Sequence, residues 1–141
     1  MPPKEYAYMQ EHVRKRRTRR SSEGEFPEQV RKKVFYNYGD VVYATSRLEN
    51  EGYKCAIIRS TVLGAKDFKE TVTIGDNPVW FKYIDLGDKA EYYFLCLKPG
   101  EKVGVDITGT SFIGGTSEYS EKWEFENIDG EIIGRQIAAR Y

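Results

Sequence analysis

Histidine is almost missing from this chain: His12 is the only one among 141 residues. A lone histidine near the N-terminus supports neither a nucleophile–histidine–acid triad nor a histidine-based metal site within one copy. Cysteine is equally scarce. Cys55 and Cys96 cannot make a disulfide framework, and each sits in an apolar, strand-like run, Lys54-Cys55-Ala56-Ile57-Ile58 and Phe94-Leu95-Cys96-Leu97. They read as two small buried hydrophobes, with a bridge between neighbouring strands as the alternative in an oxidising compartment. No run of about 20 apolar residues exists, so no membrane-spanning helix is expected. Met1 to Arg20 has its charge last and no apolar centre, the reverse of an export signal. An intracellular (cytoplasmic) protein, or one carried within a virus particle, is the expectation. Glutamine and asparagine are few while charged residues, Tyr, Ile and Val are plentiful, a bias seen in heat-adapted proteins. There is no internal repeat.

Net charge is also absent, but the zero conceals a division. Residues 1–36 carry ten Lys/Arg against five Asp/Glu, a surplus of +5, and residues 37–141 carry twelve against seventeen, a deficit of −5. A basic arm joined to an acidic domain points to an anionic partner for the arm. Its centre, Arg14-Lys15-Arg16-Arg17-Thr18-Arg19-Arg20, holds six cations in seven positions. Arginine suits phosphate because its planar fork donates two parallel hydrogen bonds and keeps its charge at any physiological pH. The run contains no base-reading pattern, so binding through Arg14, Lys15, Arg16, Arg17, Arg19 and Arg20 should be largely indifferent to sequence. Three readings compete: a nucleic-acid or other polyanion site, docking on an acidic protein surface, and a solvated tail or localisation address. Arg19-Arg20-Ser21-Ser22 would also suit a basophilic kinase, whose phosphate would cancel part of the charge. Pro2 and Pro3, followed by Tyr6, Met9 and Val13 on one face, predict a partly helical arm. Ser21 to Pro27 reads as a linker.

Beyond Val30 the apolar period becomes two. Strands are expected at Val30–Tyr36, Val41–Arg47, Tyr53–Val62, Phe68–Ile74, Val79–Leu86, Glu91–Lys98, Lys102–Thr108, Glu118–Glu126 and Glu131–Ala138. Turn formers separate them, among them Asn50-Glu51-Gly52, Lys98-Pro99-Gly100 and Asp129-Gly130. With no convincing helix among these runs, the expected fold is all-β. The expectation is a single β-sandwich or jelly-roll-like domain of eight or nine short antiparallel strands over 29–141, preceded by the basic arm of 1–28. Phe81, Tyr93, Phe94, Trp123 and Phe125 are the expected aromatic core.

Few other residues carry chemistry. The segment Thr108 to Ser117 is rich in glycine and hydroxyls, but lacks the lysine and following helix of a phosphate cradle, so it reads as a flexible connection. Asp76, Asp85 and Asp88 lack calcium-loop spacing and read as ordinary turn residues. Trp80 and Tyr92 fall on strand faces opposite Phe81 and Tyr93, making them a possible aromatic interface that could stack on sugars or bases. The commoner use of such rings is the second side of a buried sheet. Neither cofactor nor metal is expected, and a small-molecule ligand fits poorly.

A basic arm followed by a compact β domain is similar in layout to small viral coat and capsid-associated proteins. That resemblance implies an arm that neutralises packaged nucleic acid or laces subunits together, and the small acidic domain suits a decorating subunit. The expected function is therefore a non-enzymatic assembly protein, a homo-oligomer or part of a larger particle. The alternatives are an RNA-binding accessory protein of a ribonucleoprotein and a carbohydrate-binding β module.

Overall fold

A computed structural model describes residues 32–62 and 68–141. Within them the chain is mostly β. The order is β1 (Lys33–Phe35), α1 (Tyr38–Asn50), β2 (Lys54–Val62), β3 (Phe68–Ile74), β4 (Val79–Asp85), β5 (Ala90–Leu97), β6 (Lys102–Ser111), β7 (Ser117–Ile128) and β8 (Glu131–Arg140). They form two four-stranded sheets, ordered β1-β4-β5-β2 and β3-β6-β7-β8. The arm, the boundary at residues 28 and 29, and the start of the first expected strand lie outside the described residues.

The expected strand at Val41–Arg47 is overturned, because this segment lies within α1. Val41, Tyr43 and Thr45 fit a two-residue period, yet Val41, Ala44, Thr45 and Leu48 fit the helical one equally well, and all four are buried. The ends break the tie. The Asn37 side chain accepts from the Asp40 amide at 3.3 Å, an N-cap, and Asp40 adds a carboxylate to the first turn. At the other end Gly52, at φ +98°, donates to the Glu49 carbonyl while Tyr53 donates to that of Leu48. That pair of bonds is a Schellman stop, so Asn50-Glu51-Gly52 ends a helix instead of turning a hairpin. Inside, Thr45 returns its hydroxyl to the carbonyls of Val41 and Val42, which spares the helix a buried unpaired group.

Uniform antiparallel pairing is corrected as well. β1 lies parallel to β4, pairing Lys33 with Phe81 and Phe35 with Tyr83. A parallel neighbour requires a long crossover, which the segment containing α1, β2 and β3 provides.

The sheet of β4 and β5 is covered on both faces. Val79, Phe81, Tyr83, Phe94 and Cys96 pack with Phe35 and with Val41, Ala44 and Leu48 of α1. Tyr93, Leu95 and Leu97 point the other way and pack with Ile74, Val103, Val105 and Ile107 of the second sheet. Burial on both faces explains why β5 reads Tyr-Phe-Leu-Cys-Leu without alternation, whereas β6, covered on one face, alternates cleanly. Phe81, Tyr93 and Phe94 are buried as expected, while Trp123 and Phe125 are half-buried on the edge of the same core.

Between β7 and β8, Asp129 and Gly130 both take positive φ, 52° and 86°, as a two-residue hairpin turn demands. Ile128 then faces Glu131, and Ile132 reaches the core beside Trp123 and Phe125. The same topology leaves β8 at a sheet edge.

Cys55 and Cys96 face each other across β2 and β5 and are joined, with sulfurs 2.08 Å apart. The bridge, not the pair of separate buried thiols, is therefore the outcome.

Candidate functional site

A cluster of polar side chains lies between the sheets, around Glu70. Its side chain is 7% exposed and accepts from Arg59 Nη2 at 2.6 Å, Tyr119 Oη at 2.8 Å and Thr61 Oγ1 at 2.9 Å. Two backbone features bring these donors together. The first is a bulge in β2, where the register slips between Ile57 and Arg59. The slip turns Arg59 and Thr61 toward the second sheet, the side on which Tyr93 also lies. The second is Gly109, which stands between Glu70 and Tyr119 in the β3-β6-β7 ladder. A Cβ there would sit 2.1 Å from Tyr119 Cζ, so only glycine lets the phenol lie across β6 and reach Glu70. A second carboxylate, Glu121, accepts from Trp123 Nε1 at 2.8 Å and Tyr141 Oη at 3.2 Å, and adds its attraction for Arg59.

Burial alone would raise the Glu70 pKa, but the bonds from Arg59, Tyr119 and Thr61 outweigh it and hold the carboxyl below its ordinary value of 4.5. Burial and the Glu70 carboxylate push the Tyr119 phenol upward. Glu70 is thus ionised and saturated with donors, a poor proton acceptor and a strong tie between sheets. Because its pKa is depressed on folding, its contribution is fully present above pH 4.5 and is lost as pH falls through the folded value. Glu70→Gln should cost about 2 kcal/mol at neutral pH, the scale of a buried charged hydrogen bond. Denaturant unfolding of both proteins should show that gap closing on acidification. A gap that stays constant to low pH would show that Glu70 is not charged in the folded chain.

On the opposite face of the second sheet, Thr71, Thr108, Ser120 and Arg140 stand in one cross-strand row. With Lys69, Thr110 and Glu118 they line an open depression of about 550 Å³. The expected flexible connection from Thr108 onward is corrected here. β6 continues to Ser111, and Thr108, Gly109 and Thr110 are ladder residues. Hydroxyl side chains at cross-strand positions are invisible to one-dimensional spacing, so no sequence pattern marks this row.

Of the residues singled out from sequence, Arg14, Lys15, Arg16, Arg17, Arg19 and Arg20 lie outside the described residues. Trp80 and Tyr92 are described, and they occupy opposite faces of one sheet. Trp80 packs on the core between the sheets, its indole N–H buried with no acceptor among the described residues. Tyr92 packs on the α1 side and stacks on Tyr83 at 5.7 Å. They do not share a surface. Among the described residues no group of three or more His, Cys, Asp or Glu side chains has metal-holding geometry, and no helix is long and apolar enough to cross a membrane. Comparison of the chain with protein families, with curated proteins and with solved structures finds no match to any of them.

Proposed function

We propose that this chain is a non-enzymatic structural protein of capsid or capsid-decorating type, a β sandwich anchored by its arginine-rich arm to nucleic acid or to neighbouring subunits. The observation that carries the reading is the division of charge, +5 over residues 1–36 against −5 over 37–141. The core shared by Tyr93, Leu95 and Leu97 with Val103, Val105 and Ile107 supports the sandwich description. The chemistry between the sheets fits a structural role, because Glu70 is saturated by donors from three residues, Arg59, Thr61 and Tyr119.

Changing Arg14, Arg16, Arg17, Arg19 and Arg20 to alanine should abolish polyanion binding while leaving the melting temperature nearly unchanged. Exposed charges contribute little to folding but dominate salt-dependent association. Six phosphate contacts predict a log–log salt slope of about −4 on single strands and about −5 on duplex. Retention of binding by the variant would move the site to the β domain.

A second reading, a carbohydrate-binding β module, is favoured by the depression lined by Thr71, Thr108, Thr110 and Ser120 between Lys69 and Arg140. Hydroxyls flanked by charges suit hydrogen bonding to a sugar. Salt-insensitive retention on glycan arrays would support that reading over the first.

A further inference from the structure

Among the described residues the two sheets have four edges, β1, β2, β3 and β8. An unpaired edge is a template for another strand, and proteins guard against this with short strands, bulges and inward-pointing charges. Three edges here carry such guards. β1 has three residues, β2 is bulged at Ile58, and β3 points Glu70 inward beside an outward Lys69. β8 is different. It runs for ten residues without lysine or proline, and it exposes Ile133 at 46% and Ile137 at 54%. Its own irregularity, opposite Lys122 and Trp123, falls at Ile137, leaving Glu131 to Gln136 regular.

We infer that β8 pairs antiparallel with β8 of a second copy of this chain, centred on Ile133, which joins two four-stranded sheets into one of eight. The charges select this register. A two-fold axis normal to a sheet must pass through a residue facing its own equivalent, since only then do paired side chains share a face. With Ile133 at that point, Glu131 of each copy faces Arg135 of the other. One apolar pair is then flanked by two opposite-charge pairs on the outer face. Centring on Gly134 or Arg135 forfeits this arrangement, and Arg135 would set two like charges against each other. Arg135 is available for the task. It holds Glu124 at 2.7 Å through one nitrogen while its side chain remains 70% exposed, and a guanidinium has donors for two carboxylates. Gly134 fits as well, because the Phe125 ring covers its inner side, where a Cβ would lie 2.5 Å from Phe125 Cε1.

The pairing rests on the assembly reading by naming its partner, but it does not require the arm to bind nucleic acid. The test uses the full chain, treated with nuclease, stripped of polyanions in high salt and returned to physiological salt so that the exposed charge pairs are not screened, with mass measured by sedimentation and light scattering over a concentration series. The expected mass is twice the 16.3 kDa of one chain. Ile133→Lys should give a monomer that still unfolds cooperatively, at a midpoint independent of concentration, and so should Glu131→Arg, which opposes two arginines. Combining Glu131→Arg with Arg135→Glu restores the opposite-charge pairs and should recover the dimer. Ile113→Lys, on the exposed β6–β7 connection, should remain dimeric. A wild-type chain that stays monomeric throughout overturns the inference, as does association that survives Ile133→Lys or disappears in Ile113→Lys. Polyanion binding measured separately at low salt keeps the two ideas apart. A dimer without such binding removes only the nucleic-acid anchor, and binding by a strict monomer removes only the β8 pairing.

Discussion

Replacing Cys55 and Cys96 with alanine is expected to lower the unfolding free energy by about 4 kcal/mol, the chain-entropy value for a loop of this length. The bridge closes a separation of 41 residues, and opening it restores that freedom to the unfolded chain. Native geometry adds to the effect. Among the described residues β2 is an edge strand, held by hydrogen bonds to β5 on one side only, and it carries Arg59 and Thr61 to Glu70. Loosening β2 therefore loosens the tie between the sheets. Denaturant midpoints of the oxidised protein and the double variant measure the cost. Alkylation in denaturant without reductant supplies the prior check, since Cys96 is fully buried in the folded chain and two modified thiols would sink the premise. Such bridges persist in oxidising surroundings, virion surfaces among them, and in the disulfide-rich interiors of hyperthermophilic cells.

Asn127→Ala should cost about 3 kcal/mol, although it removes only the side-chain amide. Asn127 is 3% exposed near the end of β7. Its amide donates to the Leu97 carbonyl at 2.9 Å, and its carbonyl oxygen accepts from Gly130 at 3.0 Å. Its backbone also pairs with Gly100 and Glu101, so one residue binds the end of β5, the β5–β6 turn and the β7–β8 turn. Alanine leaves the buried Leu97 carbonyl without its donor, at a cost of about 1–3 kcal/mol, and takes the acceptor from the exposed Gly130 amide, which adds less because water reaches it. Lys122→Ala, on the exposed face of the same strand, should be nearly silent in the same unfolding assay. Equal behaviour of the two variants would show that water replaces the asparagine without loss.

Asn127 illustrates what a sequence hides. It lies beside the Asp129-Gly130 turn and looks like one more turn residue, but its partner Leu97 is thirty positions away. Arg59 is a second case. Alternation from Cys55 and Ile57 would send it toward α1, and only the bulge in β2 sends it to Glu70. Cys55 and Cys96 are a third, since two apolar runs carry no mark of the register that sets the two residues opposite each other. Gly109 reads as loop composition until Tyr119 is seen lying on it.

The chain by itself determined what depends on neighbours within a few residues. The strands from β3 to β8 stand close to their expected limits because alternation, β-branched and aromatic residues, and the turns at Pro99-Gly100 and Asp129-Gly130 act locally. The charge division between residues 1–36 and 37–141 is likewise a property of the sequence alone. Tertiary structure decided the rest. Val41 to Leu48 satisfy two periods at once, and the apolar face of β4 and β5 together with the caps at Asn37 and Gly52 selects the helix. The parallel placement of β1, the division into two sheets, the Cys55–Cys96 bridge and the donors gathered on Glu70 all join residues far apart in the chain. Local propensity cannot rank such pairings, because their free energy comes from burial and hydrogen bonding that exist only once distant strands have met.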